Sequence, residues 1–222
     1  MGEMVQFKCP DGADAPGYLA EPASPGGAPG LVVIQEWWGL NDQMKKTADR
    51  FAEQGFRALV PDLYHGKLAA DPDEAGHMMG ALDWGRATSQ DLRGAVRYLK
   101  AGGGKTAVLG FCMGGALTIL AGVQVPEVDA AVCFYGIPPS DAADPAKISI
   151  PFQAHFANQD DWCTPDAVNA LEATLKGAGA NFELFRYDAQ HAFFNQERPE
   201  VYNAAAADQA WQRSLTFLRA NL

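Results

Sequence analysis

Several familiar signatures are missing from this chain of 222 residues. Its four cysteines, Cys9, Cys112, Cys133 and Cys163, contain no C-x-x-C pair and lie far apart. The first residues lack the basic start and apolar stretch of a secretion signal. Together these point to free thiols in a reducing cytoplasm rather than a disulfide framework. The four histidines, His65, His77, His155 and His191, are scattered without ligand spacing, so no metal site is expected. Basic residues number 17 against 27 acidic ones, giving a net charge of -10, and no Lys/Arg cluster stands out. Phosphates attract clustered cations, so neither nucleic acid nor an anionic membrane is expected as a partner. No apolar run approaches the roughly 20 residues of a membrane-spanning helix. No repeat, low-complexity tract or linker divides the chain, and nothing in it fixes an oligomeric state.

What is present is a globular composition, 48% hydrophobic and 20% charged. Residues 1–222 read as a single domain able to bury a large core. Val5–Lys8 and Gly17–Glu21 read as an edge hairpin around Pro10-Asp11-Gly12. Leu31–Ile34 is a continuous apolar run, as expected of a strand buried on both faces of a parallel sheet. Further strands are expected at Arg57–Val60, Thr106–Leu109, Ala130–Tyr135, Ile150–Phe156 and Phe182–Tyr187. Helical patterns lie between them, from Asn41 to Gln54, Thr88 to Lys100, Pro165 to Gly177 and Val201 to Leu218, with a short one from Pro72. Alternating strands and helices predict an α/β fold, a mostly parallel central sheet with helices on both faces.

One turn in this pattern carries chemistry. Gly110-Phe111-Cys112-Met113-Gly114 joins a strand to a helix. A Gly-x-nucleophile-x-Gly turn in that setting is the nucleophile elbow of the α/β-hydrolase fold, here with cysteine in place of serine. In such sheets reactive groups gather beyond the carboxyl ends of the strands. Glu36, Tyr64, Cys112, Asp161 and His191 follow strands in that way. Cys112, an aspartate and His191 also keep the chain order nucleophile, acid, histidine. Cys112 would attack a carbonyl as its thiolate, favoured by the helix N-terminus. His191 would handle the protons, and the aspartate would orient it. Sequence order alone does not separate Asp160 from Asp161. The oxyanion hole is expected from the backbone N–H groups of Met113 and Trp37.

Five stretches together resemble the dienelactone hydrolase family across nearly the whole length: Gln35-Glu36-Trp37-Trp38-Gly39-Leu40-Asn41, Pro61-Asp62-Leu63-Tyr64, Gly110 to Gly115, Asp161-Trp162-Cys163-Thr164-Pro165 and His191-Ala192-Phe193. The resemblance implies an α/β-hydrolase with a Cys-His-Asp triad that opens a small ester or lactone without a cofactor. It implies that Glu36 contacts the thiol and helps activate it. The family acid lies four residues before the proline, and this selects Asp161. Tyr64, Trp38 and Phe193 are candidate substrate contacts. The family grips its substrate carboxylate with two arginines, and the corresponding positions here hold Gly66 and Asn195. A bidentate guanidinium is replaced by neither. A broader carboxylesterase or thioesterase is therefore the alternative within the class. A redox or ligand-binding thiol protein is the alternative outside it. Cys133 and His155 lie within strands and read as core residues.

Overall fold

The continuous apolar runs become the middle of one sheet. The structure, a computed structural model, describes residues 2–222. Its strands are β1 (Glu3–Lys8), β2 (Asp14–Ala20), β3 (Gly30–Ile34), β4 (Arg57–Pro61), β5 (Thr106–Phe111), β6 (Ala130–Phe134), β7 (Phe152–Gln159) and β8 (Phe182–Gln190). They pair in the order β1-β2-β4-β3-β5-β6-β7-β8. β2 runs antiparallel to β1 and β4, and every other pairing is parallel. The expected hairpin is present, but its second strand starts three residues earlier, at Asp14, which pairs with Lys8.

The helices are α1 (Asp42–Glu53), α2 (Pro72–Ala81), the single turn α3 (Trp84–Arg86), α4 (Arg93–Lys100), α5 (Met113–Gln124), α6 (Pro165–Gly177) and α7 (Ala204–Asn221). Their starts follow capping chemistry. Asn41 Oδ1 accepts the Met44 N–H at 3.1 Å ahead of α1, and Thr164 Oγ1 accepts the Ala167 N–H at 3.3 Å ahead of α6. The closing helix begins at Ala204 rather than Val201, because Asn203 Oδ1 takes the Ala206 N–H at 3.1 Å and caps it there. The helix expected from Thr88 is not uniform. Ala87–Leu92 forms a wide π-helical turn before α4.

Side chains alternate across the sheet. Leu31 and Val33 of β3 face α1 and α7, in a cluster with Met44, Phe51 and Trp211. Val32 and Ile34 face the other layer, with Val96 of α4, Leu117 and Leu120 of α5, and Leu171 of α6. Each fully buried aliphatic side chain contributes roughly 1.5–3 kcal/mol to holding the layers together. β3, β5, β6, β7 and β8 all run the same way, so their carboxyl ends share one edge. The residues that follow those ends meet there.

Candidate active site

The elbow is built from backbone constraint. β5 ends at Phe111 and α5 starts at Met113, so Cys112 alone makes the corner, at φ 55° and ψ -114°. A side-chain-bearing residue held there costs about 1–3 kcal/mol. Surrounding bonds hold it: the Cys112 N–H donates to Phe134 O at 3.0 Å, and Cys112 O accepts the Ala116 N–H at 3.1 Å. A Cβ on Gly110 would strike the backbone of Gly114, and one on Gly114 would strike the carbonyls of Ile34 and Gln35. Both flanking glycines are thus required by close approach. Cys112 is partly exposed in the cleft and sits at the start of α5, where the helix dipole favours negative charge.

His191 lies in the turn after β8. Its Nδ1–H donates to Asp160 Oδ2 at 2.8 Å. The other oxygen of Asp160 accepts the N–H groups of Trp162 and Cys163 at 2.8 and 2.9 Å. Here the structure corrects the sequence reading. The acid paired with His191 is Asp160, whereas Asp161 is exposed. The reason is local: β7 ends at Gln159, so Asp160 is the first residue past the strand. Its carboxylate folds inward to close the 160–163 turn, and the next side chain points outward. Burial works to raise the Asp160 pKa, but His191 and the two amides outweigh it and hold the carboxyl below its usual range. Burial likewise pulls His191 down, yet Asp160 and the Cys112 thiol push it up to about 10. His191 Nε2 is buried without a protein partner, and the Cys112 thiol lies within its influence.

Glu36, just past β3, is 2% exposed. Its Oε1 accepts the Tyr135 O–H at 3.3 Å and its Oε2 accepts the Asn195 Nδ2–H at 2.7 Å. Burial raises its pKa; Asn195, His191, Arg198 and Tyr135 all act to lower it. The resemblance implied a Glu36–thiol contact, but both carboxylate oxygens here are taken by other partners. Sequence reading passed over Tyr135, having counted it as the last residue of a strand. β6 stops at Phe134, so Tyr135 is a further residue that follows a strand end, at φ 37°. The Met113 and Trp37 N–H groups stand near the elbow with no backbone acceptor among the described residues.

These groups open onto a cavity of about 260 Å³, room for a small molecule. Its lining holds Glu36, Cys112, Tyr135 and His191 together with the apolar side chains of Trp37, Trp38, Trp84, Trp162, Met79 and Ile137. Trp38 is therefore a lining residue. Phe193 and Tyr64 are not, and both expectations are corrected. Phe193 is fully buried behind the site, with its ring 5.3 Å from that of Tyr135. Tyr64 is buried and its O–H reaches Met113 Sδ at 3.3 Å, supporting the elbow from behind. Of the expected arginine positions, Gly66 places only its N–H, on Asp62 Oδ2 at 2.6 Å, and Asn195 binds Glu36. Arg198 is a cation on the cavity wall. Its Nε pairs with Glu200 at 2.8 Å, leaving the two terminal nitrogens without a protein partner among the described residues.

Among the described residues no group of three His, Cys, Asp or Glu side chains is gathered as a metal site. No described helix is long and apolar enough to cross a membrane.

Comparison with known proteins follows this geometry. The family model of the dienelactone hydrolase family matches residues 15–222. The chain is 35% identical to "Protein usf" of Aquifex pyrophilus, covering 99% of this chain and 98% of that one. It is 32% identical to the "Putative carboxymethylenebutenolidase" of Aquifex aeolicus over the full length of both. Among solved structures it resembles the "Putative Dienelactone Hydrolase" of Klebsiella pneumoniae, with a TM-score of 0.85, 25% identity and 98% of each chain covered.

Proposed function

Because this chain belongs to the dienelactone hydrolase family and so is a carboxylic ester hydrolase of the α/β-hydrolase fold, we propose that it opens a small ester or lactone through a thiol-acyl intermediate on Cys112, with His191 and Asp160 as partners. The observation that carries this reading is the His191 ring, tied at Nδ1 to Asp160 and left free at Nε2 beside the elbow thiol.

The steps follow from that geometry. The Cys112 thiol gives its proton to His191 Nε2, forming the imidazolium, and its sulfur attacks the acyl carbon. Charge moves to the carbonyl oxygen, which the Met113 and Trp37 N–H groups stabilise. The tetrahedral centre collapses, the carbon–oxygen bond breaks, and the His191 imidazolium gives its proton to the leaving alkoxide. From an ester this frees an alcohol; from a lactone the alcohol stays attached to the acyl group. Neutral His191 then takes a proton from water as the hydroxide oxygen attacks the thioester. The acid departs, and the thiol and histidine are restored. Asp160 fixes the ring and stabilises its cation throughout. The chemistry needs no cofactor, and the active protein is expected in the cytoplasm.

A second reading within the class, a broader carboxylesterase or thioesterase, is favoured by one observation. Neither Gly66 nor Asn195 offers a cation to a substrate carboxylate, and much of the cleft wall is aromatic. Comparing rates on a carboxylate-bearing dienelactone with those on a neutral aryl ester separates the two. A strong preference for the anion supports the lactonase. Turnover of an activated ester by Cys112→Ala tests both readings: activity is expected to vanish while circular dichroism stays native. Near-wild-type activity in that variant overturns them.

A further inference from the structure

Trp162 lines the cleft, yet no step of the chemistry uses its side chain. At 63% exposed it is the most exposed large apolar side chain among the described residues. It lies in the turn after β7, where its backbone N–H donates to Asp160 Oδ1 at 2.8 Å. The bond that helps hold the acid thus also fixes where the indole is attached. The Trp162 ring meets that of Trp37 with 5.5 Å between centroids and 74° between planes. Trp37 meets Trp38 in the same manner, at 5.4 Å and 71°. T-shaped contacts of this kind are favoured by the charge distribution of the rings, and here they tie three indoles into one group. The Trp162 ring also stands 6.4 Å from that of His191. A lone exposed apolar side chain on a protein surface needs no explanation. This one belongs to a row of rings lining the cleft and sits beside the residue that handles protons there.

We propose that Trp162 is a specificity-determining residue and that the substrate it selects is an aryl ester, with the aromatic ring on the alcohol side of the bond that breaks. This rests on the reading of Cys112 as nucleophile and His191 as proton donor to the leaving group. That reading gives the side. The departing oxygen must come within reach of His191, so the group it carries lies on the His191 side of the cleft. Of the four cleft tryptophans, Trp162 is the one whose ring pairs with His191 among the described residues. An open indole takes a planar ring by edge or offset contact, an attraction that an alkyl group of equal bulk does not share. Aromatic faces also attract cations. Two groups in the cleft oppose a cationic substrate: Arg198, whose terminal nitrogens have no protein partner among the described residues, and His191 once it holds the thiol proton. The selected ring is therefore neutral. In acylation the acyl group passes to the Cys112 sulfur, the bond between the acyl carbon and the aryl oxygen breaks, and a phenol leaves with the proton from His191.

The test compares phenyl acetate with the acetate of a fluorinated alkanol whose acidity matches that of phenol. Both esters form the same acetyl-enzyme, so they differ only in the group that leaves. The ratio of their kcat/KM values reads selection of that group. The wild type should favour phenyl acetate about five- to tenfold, and Trp162→Ala should remove most of that preference. Trp162→Phe should keep most of it, whereas Trp162→Leu should not, which separates an aromatic contact from plain bulk. Hydrolysis of the acetyl-enzyme, followed after the leaving group has gone, should slow less in Trp162→Ala than acylation by phenyl acetate does. An unchanged ratio in Trp162→Ala, or one equal loss on both acetates and on acetyl-enzyme hydrolysis, overturns the proposal alone. So does faster turnover of acetylcholine than of phenyl acetate by the wild type, which would assign the rings to a cation. Hydrolysis of phenyl acetate by the wild type with no acetyl group on Cys112 overturns the reading of the nucleophile and the proposal together.

Discussion

A buried histidine within the sheet and a half-buried one just past its edge are prepared for opposite ends. His155, in the middle of β7, has both ring nitrogens satisfied by neutral groups. Its Nε2–H donates to Gln153 Oε1 at 2.9 Å with Ser214 Oγ at 3.1 Å, and its Nδ1 accepts the Tyr187 O–H at 2.8 Å. Burial, and then Arg213, pull its pKa down to about 3. His191, past the end of β8, has a carboxylate on one nitrogen and no hydrogen-bond partner among the described residues on the other. Its pKa moves the other way, to about 10. The difference lies in the partner: a ring among neutral donors and acceptors stays uncharged and structural, while a carboxylate turns the same ring into a holder of protons. Position on the strand decides which partners are available. Mid-strand, His155 meets β8 and α7; past a strand end, His191 meets a loop and the cleft.

The sharpest way to break that contrast is to remove the carboxylate. Asp160→Asn should leave His191 without its charged partner and lower kcat/KM roughly 10³–10⁴-fold, whereas Asp161→Asn should stay within about twofold. A reversed ranking would return the acid to Asp161. The next largest effect is on stability. His155→Phe strips Gln153 and Tyr187 of a buried partner, costing about 1–3 kcal/mol, which is roughly 2–12 °C in Tm at this size. Its kcat/KM should stay within about twofold, as expected away from the site; a large kinetic loss would mean the two regions are not separate.

The smallest effect sharpens the comparison by sign. His155 has a depressed pKa, so its stabilising contribution is complete above the ordinary value of 6.5 and is lost as pH falls from there toward 3. His191 has a raised pKa, so its contribution is complete below 6.5 and is lost as pH rises through about 10. Denaturant melts across that range should show His155→Phe flattening the acid side of the stability curve only. Flattening at the alkaline side instead would contradict the assignment.

The same contrast explains what could be read from the chain. The strands, the elbow, Cys112 and His191 are legible because continuous apolar runs and a glycine-flanked corner leave few folds open. Asp160 was not separable from Asp161, since the choice depends on where β7 stops, and a one-residue step turns a side chain from the cleft to solvent. Tyr135 was hidden by the same uncertainty at the end of β6. Asn195 showed in the sequence only as a missing arginine; its bond to Glu36 spans 159 positions of chain. The π-helical turn at Ala87–Leu92 carries no pattern distinct from an ordinary helix.

The central claim is that Cys112 carries the acyl group. Mixing the protein with an activated acetyl ester and recording its intact mass within the first turnovers tests this directly. The account predicts a gain of one acetyl group, mapped to the peptide holding Cys112 and lost again as water completes the cycle. Turnover with no adduct, or an adduct on Cys9, Cys133 or Cys163, would contradict it.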